Sequence, residues 1–160
     1  MDHKERNQII LEQACELLAK INVEVENAFV EDMENEEVEQ QVLVSVTVNN
    51  PGSLIGFKGK NLAAVQLVLA LMVKKKLGEW VRVLVDVNSY RQEQKSRLEK
   101  LATSMAERAI AEKRVMALPT MSSFERRVCH LVLQTISGIS SDSEGEGEDR
   151  HIVIKPLENN

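Results

Sequence analysis

Ile55-Gly56-Phe57-Lys58-Gly59-Lys60 follows a valine-rich segment and opens an apolar run that begins at Asn61. Two glycines three apart allow a tight turn and let a ligand approach the backbone without interference from Cβ atoms. If a helix starts just after them, its first amides point at whatever sits in the turn and favour an anion. Lys58 and Lys60 add positive charge to the same place. A nucleotide-hydrolase P-loop would need glycine five residues before Gly59 and Ser or Thr after Lys60, but Leu54 and Asn61 stand there. The bland alternative is a turn whose glycines only permit positive φ.

The flanks identify the turn as part of an α+β unit. Upstream, Ile10, Ala14, Leu17, Leu18 and Ile21 repeat at helical spacing over 5–20. A strand is predicted over 23–30, and the acidic stretch 31–40 reads as a hairpin-like connection. Val42, Val44, Val46 and Val48 alternate with Leu43, Ser45 and Thr47, the pattern of a strand. Asn49-Asn50-Pro51-Gly52 ends it, and Ser53-Leu54-Ile55 is a short turn. Residues 61–76 form a helix apolar nearly all round, which predicts a core helix closed by Gly78. Val81, Val83, Val85 and Val87 make a third strand.

Downstream, 89–114 contains neither Gly nor Pro and reads as one long, stiff helix connecting two units. A short strand is predicted over 115–120. Ser122-Ser123-Phe124-Glu125 is a capping box opening a helix that ends near Ser137-Gly138. On that helix Arg126 and His130, four apart, share a face, with Val128, Leu131 and Val132 expected toward a core. An arginine fork beside an imidazole suits a phosphate or a base edge; an ordinary surface helix is the alternative. The segment 140–149, SSDSEGEGED, reads as an acidic loop that should repel phosphate, and 152–154 as a final strand.

Composition limits the function classes. Hydrophobic residues at 43% and charged residues at 28% are globular proportions. The longest apolar run, 67–73, is too short to cross a bilayer, and MDHKERNQ is neither a signal nor a transit peptide. No membrane association is expected. Cys15 and Cys129 lack metal spacing and read as reduced, buried thiols of a cytoplasmic protein. His3 and His151 have no metal spacing to His130, and no triad or paired-carboxylate pattern appears, so no enzyme, metal or cofactor is expected. The net charge of −5 conceals an asymmetry. Residues 1–55 carry 3 basic and 12 acidic side chains, 56–130 carry 15 and 7, and 131–160 carry 2 and 6. Screening beyond roughly 8–10 Å makes the local balance decisive, and the middle block is basic at +8.

Ile55-Gly56-x-x-Gly59-x-x-Leu62 followed by Gln66 resembles the loop and helix of a type II KH domain. Glu125-Arg126-Arg127-x-x-His130, with the string from Ser143 to Pro156, is similar to the domain named for its R-x-x-x-H signature. KH, long helix, then that domain is the order found in the bacterial Jag (SpoIIIJ-associated) family of RNA-binding proteins. The resemblance implies a KH type II-like domain over 1–88, a connecting helix over 89–114 and a small α/β R-x-x-x-H domain over 115–160. It implies a non-enzymatic binder of single-stranded RNA, with single-stranded DNA as the alternative ligand. Its contacts would be Gly56, Phe57, Lys58, Gly59 and Lys60 in the first domain, and Arg126, Arg127, His130 and Arg150 in the second. Ile55, Leu62 and Val44 or Val46 would line a base groove, and a carboxylate of the acidic loop would organise Arg150 beside His130.

Two features depart from the family pattern. Phe57 is large for its place in the loop, and Pro51 to Ile55 is short for a first KH helix, which predicts a shallow groove. Family members typically carry a further N-terminal domain, and this sequence begins almost at the KH unit. The resemblance also admits an adaptor that pairs with a small KH-only protein or with a second copy, through Phe57 or the valine strand.

Overall fold

A computed structural model describes residues 2–33 and 41–157. The chain forms two compact units, Met1–Arg91 and Gln92–Asn160.

The first unit runs α1 (His3–Lys20), β1 (Val25–Met33), β2 (Gln41–Val48), α2 (Pro51–Ile55), a glycine turn, α3 (Lys60–Leu77) and β3 (Arg82–Val87). Its sheet has the order β1-β2-β3, antiparallel then parallel. Parallel strands cannot be joined by a tight hairpin, so α2, the glycine turn and α3 together make the crossover from β2 to β3. The even-numbered valines of β2 point at the helices. Val42, Val44, Val46 and Val48 are buried with Ile10, Leu17, Leu18, Leu69, Val73, Val83 and Val85 in one core. Arg6, itself buried, ion-pairs with Asp32 at the rim of that core.

α3 is covered on one side only. Leu62, Leu69, Ala70 and Val73 are buried, while Leu67, Val68 and Leu71 are 59%, 45% and 53% exposed. The segment Pro51–Leu77 has the length and hydropathy of a membrane span. Its backbone turns at Gly56–Gly59, however, and the uninterrupted helix has 18 residues with a face committed to the core.

The second unit takes in α4 (Tyr90–Glu112) from Gln92 onward, then β4 (Met116–Ala117), α5 (Ser123–Leu133), β5 (Ile139–Glu144) and β6 (His151–Pro156). The sheet order is β4-β6-β5, all antiparallel. The helix read from sequence as a connection gives its stripe of Leu98, Ala102, Ala106 and Ala109 to this core, with Met116, Val128, Cys129, Leu133, Ile152 and Ile154. Ala side chains at that spacing allow close approach of the elements packed on them.

Several expectations need correction. The stretch 140–149 is not a loop throughout: its first half is strand β5, paired from Ile139↔Pro156 to Glu144↔His151. The strand expected over 115–120 shrinks to two residues, and α5 stops at Leu133. Leu131 points outward at 56% exposure, because Val128, Cys129 and Leu133 define the buried side of α5. Of the acidic connection, Glu31–Met33 belongs to β1 and 34–40 lie outside the described residues.

The two cysteines also differ. Cys15 is exposed, on the side of α1 away from Ala14, Leu17 and Leu18. Cys129 is buried, and burial, followed by the nearby Glu125 charge, pushes its thiol up to about 11. It is therefore an inert core thiol at neutral pH.

Candidate nucleic-acid interface

The first candidate surface is the glycine turn. Gly56 has φ 70° and Gly59 has φ 78°, and Lys58 between them is also left-handed at φ 50°. Glycine at 56 is demanded by space as well as by φ, since a Cβ there would lie 2.4 Å from Cγ of Asn61. Asn61 is held in place because its Nδ2 donates to the Ser53 carbonyl at 2.8 Å. The Gly56 amide donates to the Gly52 carbonyl at 2.8 Å, closing α2 against the turn. Gly59, as N-cap of α3, supplies no side-chain acceptor to the first helical amides. Those amides and the positive end of the helix dipole face the turn and favour an anion there.

Phe57 is thrown outward, 74% exposed, with the Lys58 ammonium 5.6 Å from its ring centroid. A flat apolar face and a cation thus occupy the loop tip together. The expected groove is not lined as anticipated. Val44 and Val46 are 0% and 3% exposed, and Leu62 is 4% exposed, because all three face the core; only Ile55 is partly open. The two-residue repeat of β2 shows that its valines share a face, but not that α1 and α3 cover that face.

The second candidate surface is built on α5 and β5. The capping box fixes the helix start: Ser122 Oγ accepts from the Glu125 amide at 3.3 Å, and Glu125 Oε2 accepts from the Ser122 amide at 2.8 Å. Gln94 Nε2 donates to the other carboxylate oxygen of Glu125, so this buried acid is fully engaged. Arg126 donates through Nη1 to the Met121 carbonyl at 2.7 Å and through Nη2 to Ser123 Oγ at 3.2 Å. One turn later His130 Nδ1 lies 2.9 Å from Ser141 Oγ on β5. Two residues along the same strand, Ser143 Oγ accepts from Arg150 Nε at 3.0 Å.

Residues two apart on a strand share a face, so Ser141 and Ser143 set His130 and Arg150 side by side. The intervening carboxylates take the opposite face. Glu144 and Asp142 both bind the Lys155 ammonium, at 3.0 and 3.1 Å, and hold its pKa above the ordinary lysine value. Hydroxyls, not a carboxylate, therefore organise Arg150 beside His130. Strand alternation turns these two acids away from the serine side of β5, while Glu146, Glu148 and Asp149 follow, exposed, in the turn before Arg150.

Arg127 is exposed on a neighbouring face of α5, with Phe124 three residues before it and Leu131 four after it. The sequence offers Phe124 only as part of the capping box, and Ser141 and Ser143 only as residues of the acidic segment. The serines could be found only once 139–144 is known to be a strand. Phe124 at i−3 from Arg127 on a capped helix was a usable signal. Among the described residues no cluster of His, Cys, Asp and Glu is arranged to hold a metal ion.

Comparison with known proteins identifies the two domains. A KH domain family matches residues 16–104 and an R3H domain family matches 96–156. The chain is 31% identical over 149 residues to the RNA-binding protein KhpB of Clostridium symbiosum, covering 93% of this chain and 67% of that protein. It is 28% identical over 151 residues to the RNA-binding protein KhpB of Streptococcus pneumoniae, covering 94% and 46%. To the RNA-binding protein KhpB of Bacillus subtilis it is 33% identical over 128 residues, covering 77% and 60%. The chain thus spans between about half and two thirds of the length of these relatives.

Proposed function

The chain belongs to the Jag (KhpB) family, in which a KH domain precedes an R3H domain, and from that premise we propose that it is a non-enzymatic binder of single-stranded RNA acting in the cytoplasm. Residues 1–88 would grip the backbone through Gly56, Phe57, Lys58, Gly59 and Lys60. Residues 115–160 would hold an adjoining stretch through Arg126, Arg127, His130 and Arg150, with the helix 89–114 between them in sequence. The observation that carries this reading is the serine-set pair of His130 and Arg150 on the helix-facing side of β5. Two hydroxyls orienting an imidazole and a guanidinium, with Asp142 and Glu144 on the other face, make a surface for a phosphate chain. Phe57 and Phe124, both outward, add stacking faces of the kind that tolerate any base.

Fluorescence anisotropy with single-stranded RNA, single-stranded DNA and duplex RNA tests the proposal. Neutralising four to six phosphates should give a slope of log K against log salt of roughly −3 to −4 for the single strand. A slope near zero, or equal binding to duplex, would overturn it. Turnover of labelled RNA with magnesium would overturn the non-enzymatic part.

One observation favours a second role, pairing with a small KH-only protein or a second copy. Leu67, Val68 and Leu71 form an uncovered apolar face on α3, and such a face is a better contact than the valines of β2, which are buried. Replacing Leu71 by Asp should then convert a dimer to a monomer in light scattering while leaving the thermal transition in place. A wild-type protein that is monomeric alone and beside a KH-only protein would remove this role.

A further inference from the structure

Among the described residues β3 is an edge strand, hydrogen-bonded to β2 on one side only. Outward backbone groups of an edge strand normally meet solvent or another chain. At Val85 they meet two side chains instead. The Val85 amide donates to Gln66 Oε1 at 3.1 Å, and the Val85 carbonyl accepts from Arg91 Nε at 3.0 Å. Arg91 Nη2 also donates to Gln66 Oε1 at 2.8 Å, closing a three-membered ring of contacts. The Arg91 amide in turn donates to Asp86 Oδ1 at 3.1 Å, which fixes the backbone beneath the side chain.

The residue before Arg91 packs against the glycine turn. Tyr90, the preceding residue, places its ring Cε1 3.4 Å and its hydroxyl 3.6 Å from where a Cβ on Gly59 would be. The bonds to Val85 and Gln66 use two of the five guanidinium N–H groups and fix the plane of the fork. The remaining donors are on Nη1 and Nη2, the pair that engages two adjacent acceptors at once.

We propose that Arg91, held in plane by Gln66 and the Val85 backbone, is a specificity-determining contact that reads a guanine next to the nucleotides gripped by the glycine turn. A guanidinium fork can also bind a phosphate bidentately, but the turn already supplies phosphate contacts through Lys58, Lys60 and helix amides. A half-buried, pre-oriented fork along a strand edge suits a planar edge with two acceptors, and guanine O6 and N7 are that pair. Adenine presents an amino donor in the place of O6 and is rejected. The inference rests on the RNA-binding role proposed above.

The test compares eight-nucleotide uridine strands carrying one central guanine or one central adenine, bound to the full chain by anisotropy. The wild type should prefer the guanine strand at least fivefold. Arg91→Lys keeps the charge but loses the fork, so it should reduce that preference below twofold while leaving the salt slope unchanged. Gln66→Ala frees the fork without touching Arg91 and should lower the preference in the same direction; it decides the matter if Arg91→Lys fails to fold. Wild-type binding without a guanine preference, or a preference retained in the variants, overturns the inference alone. Absence of binding to either strand overturns the RNA-binding role as well.

Discussion

Alanine at both Lys58 and Arg126 should weaken single-stranded RNA binding roughly a hundredfold at physiological salt, about 2.8 kcal/mol. The two residues sit on different units, one at the tip of the glycine turn and one on the first turns of α5. Each stands for one charge-assisted phosphate contact, and contacts of that kind contribute about 1.5–3 kcal/mol. Removing two of them should also flatten the salt slope by roughly 1.4. Both effects should be the same for strands of any base composition, because phosphates carry no sequence. Isothermal titration or anisotropy at three salt concentrations, on at least two base compositions, measures all of this. A loss confined to one composition would mean that these cations read bases. A loss of affinity with an unchanged slope would mean that Arg126 acts through its bonds to the Met121 carbonyl and Ser123, holding α5 in place and not touching phosphate.

Local chemistry made much of this molecule legible before any coordinates. Alternation in 42–48 marked a strand, the capping box at Ser122–Glu125 marked a helix start, and Gly56-x-x-Gly59 marked a turn; each depends on neighbours in sequence. What failed depends on partners distant in sequence. Ser140 to Glu144 has no apolar alternation and poor β propensity, so nothing local announces β5; its pairing with His151–Lys155 creates the strand. Once it is a strand, its serines and carboxylates separate onto two faces, and a segment that looked hostile to phosphate becomes the support for His130 and Arg150. The apolar circumference of α3 was misleading for a related reason. A three-stranded sheet and α1 cover only one side of the helix, so Leu67, Val68 and Leu71 stay outside. Periodicity reports which residues can be buried, and the number of neighbouring elements decides which are.

The hairpin after β5 gives the sharpest test of that support. Gly145 has φ 84°, and a Cβ there would lie 2.8 Å from the Asp149 carbonyl oxygen and 3.3 Å from the Arg150 Cα. The obstacle is backbone, which cannot swing aside as a side chain can. Gly147, two residues on, is also left-handed at φ 53°, yet a Cβ there meets nothing within 4 Å. Gly147→Ala should therefore cost only the left-handed penalty, about 1 kcal/mol. Gly145→Ala carries that penalty and the clash, roughly 2–3 kcal/mol together. In a unit of this size the latter should lower the melting temperature by roughly 10–20 °C. The clash falls on the residue whose guanidinium donates to Ser143, so RNA affinity should drop as well at temperatures where the variant is folded. Circular dichroism melts and anisotropy on the two variants separate the causes. Equal destabilisation by both would show that φ alone matters in this turn. Destabilisation by Gly145→Ala with full RNA affinity would remove Arg150 from the binding surface, and the proposed row of contacts would then end at His130.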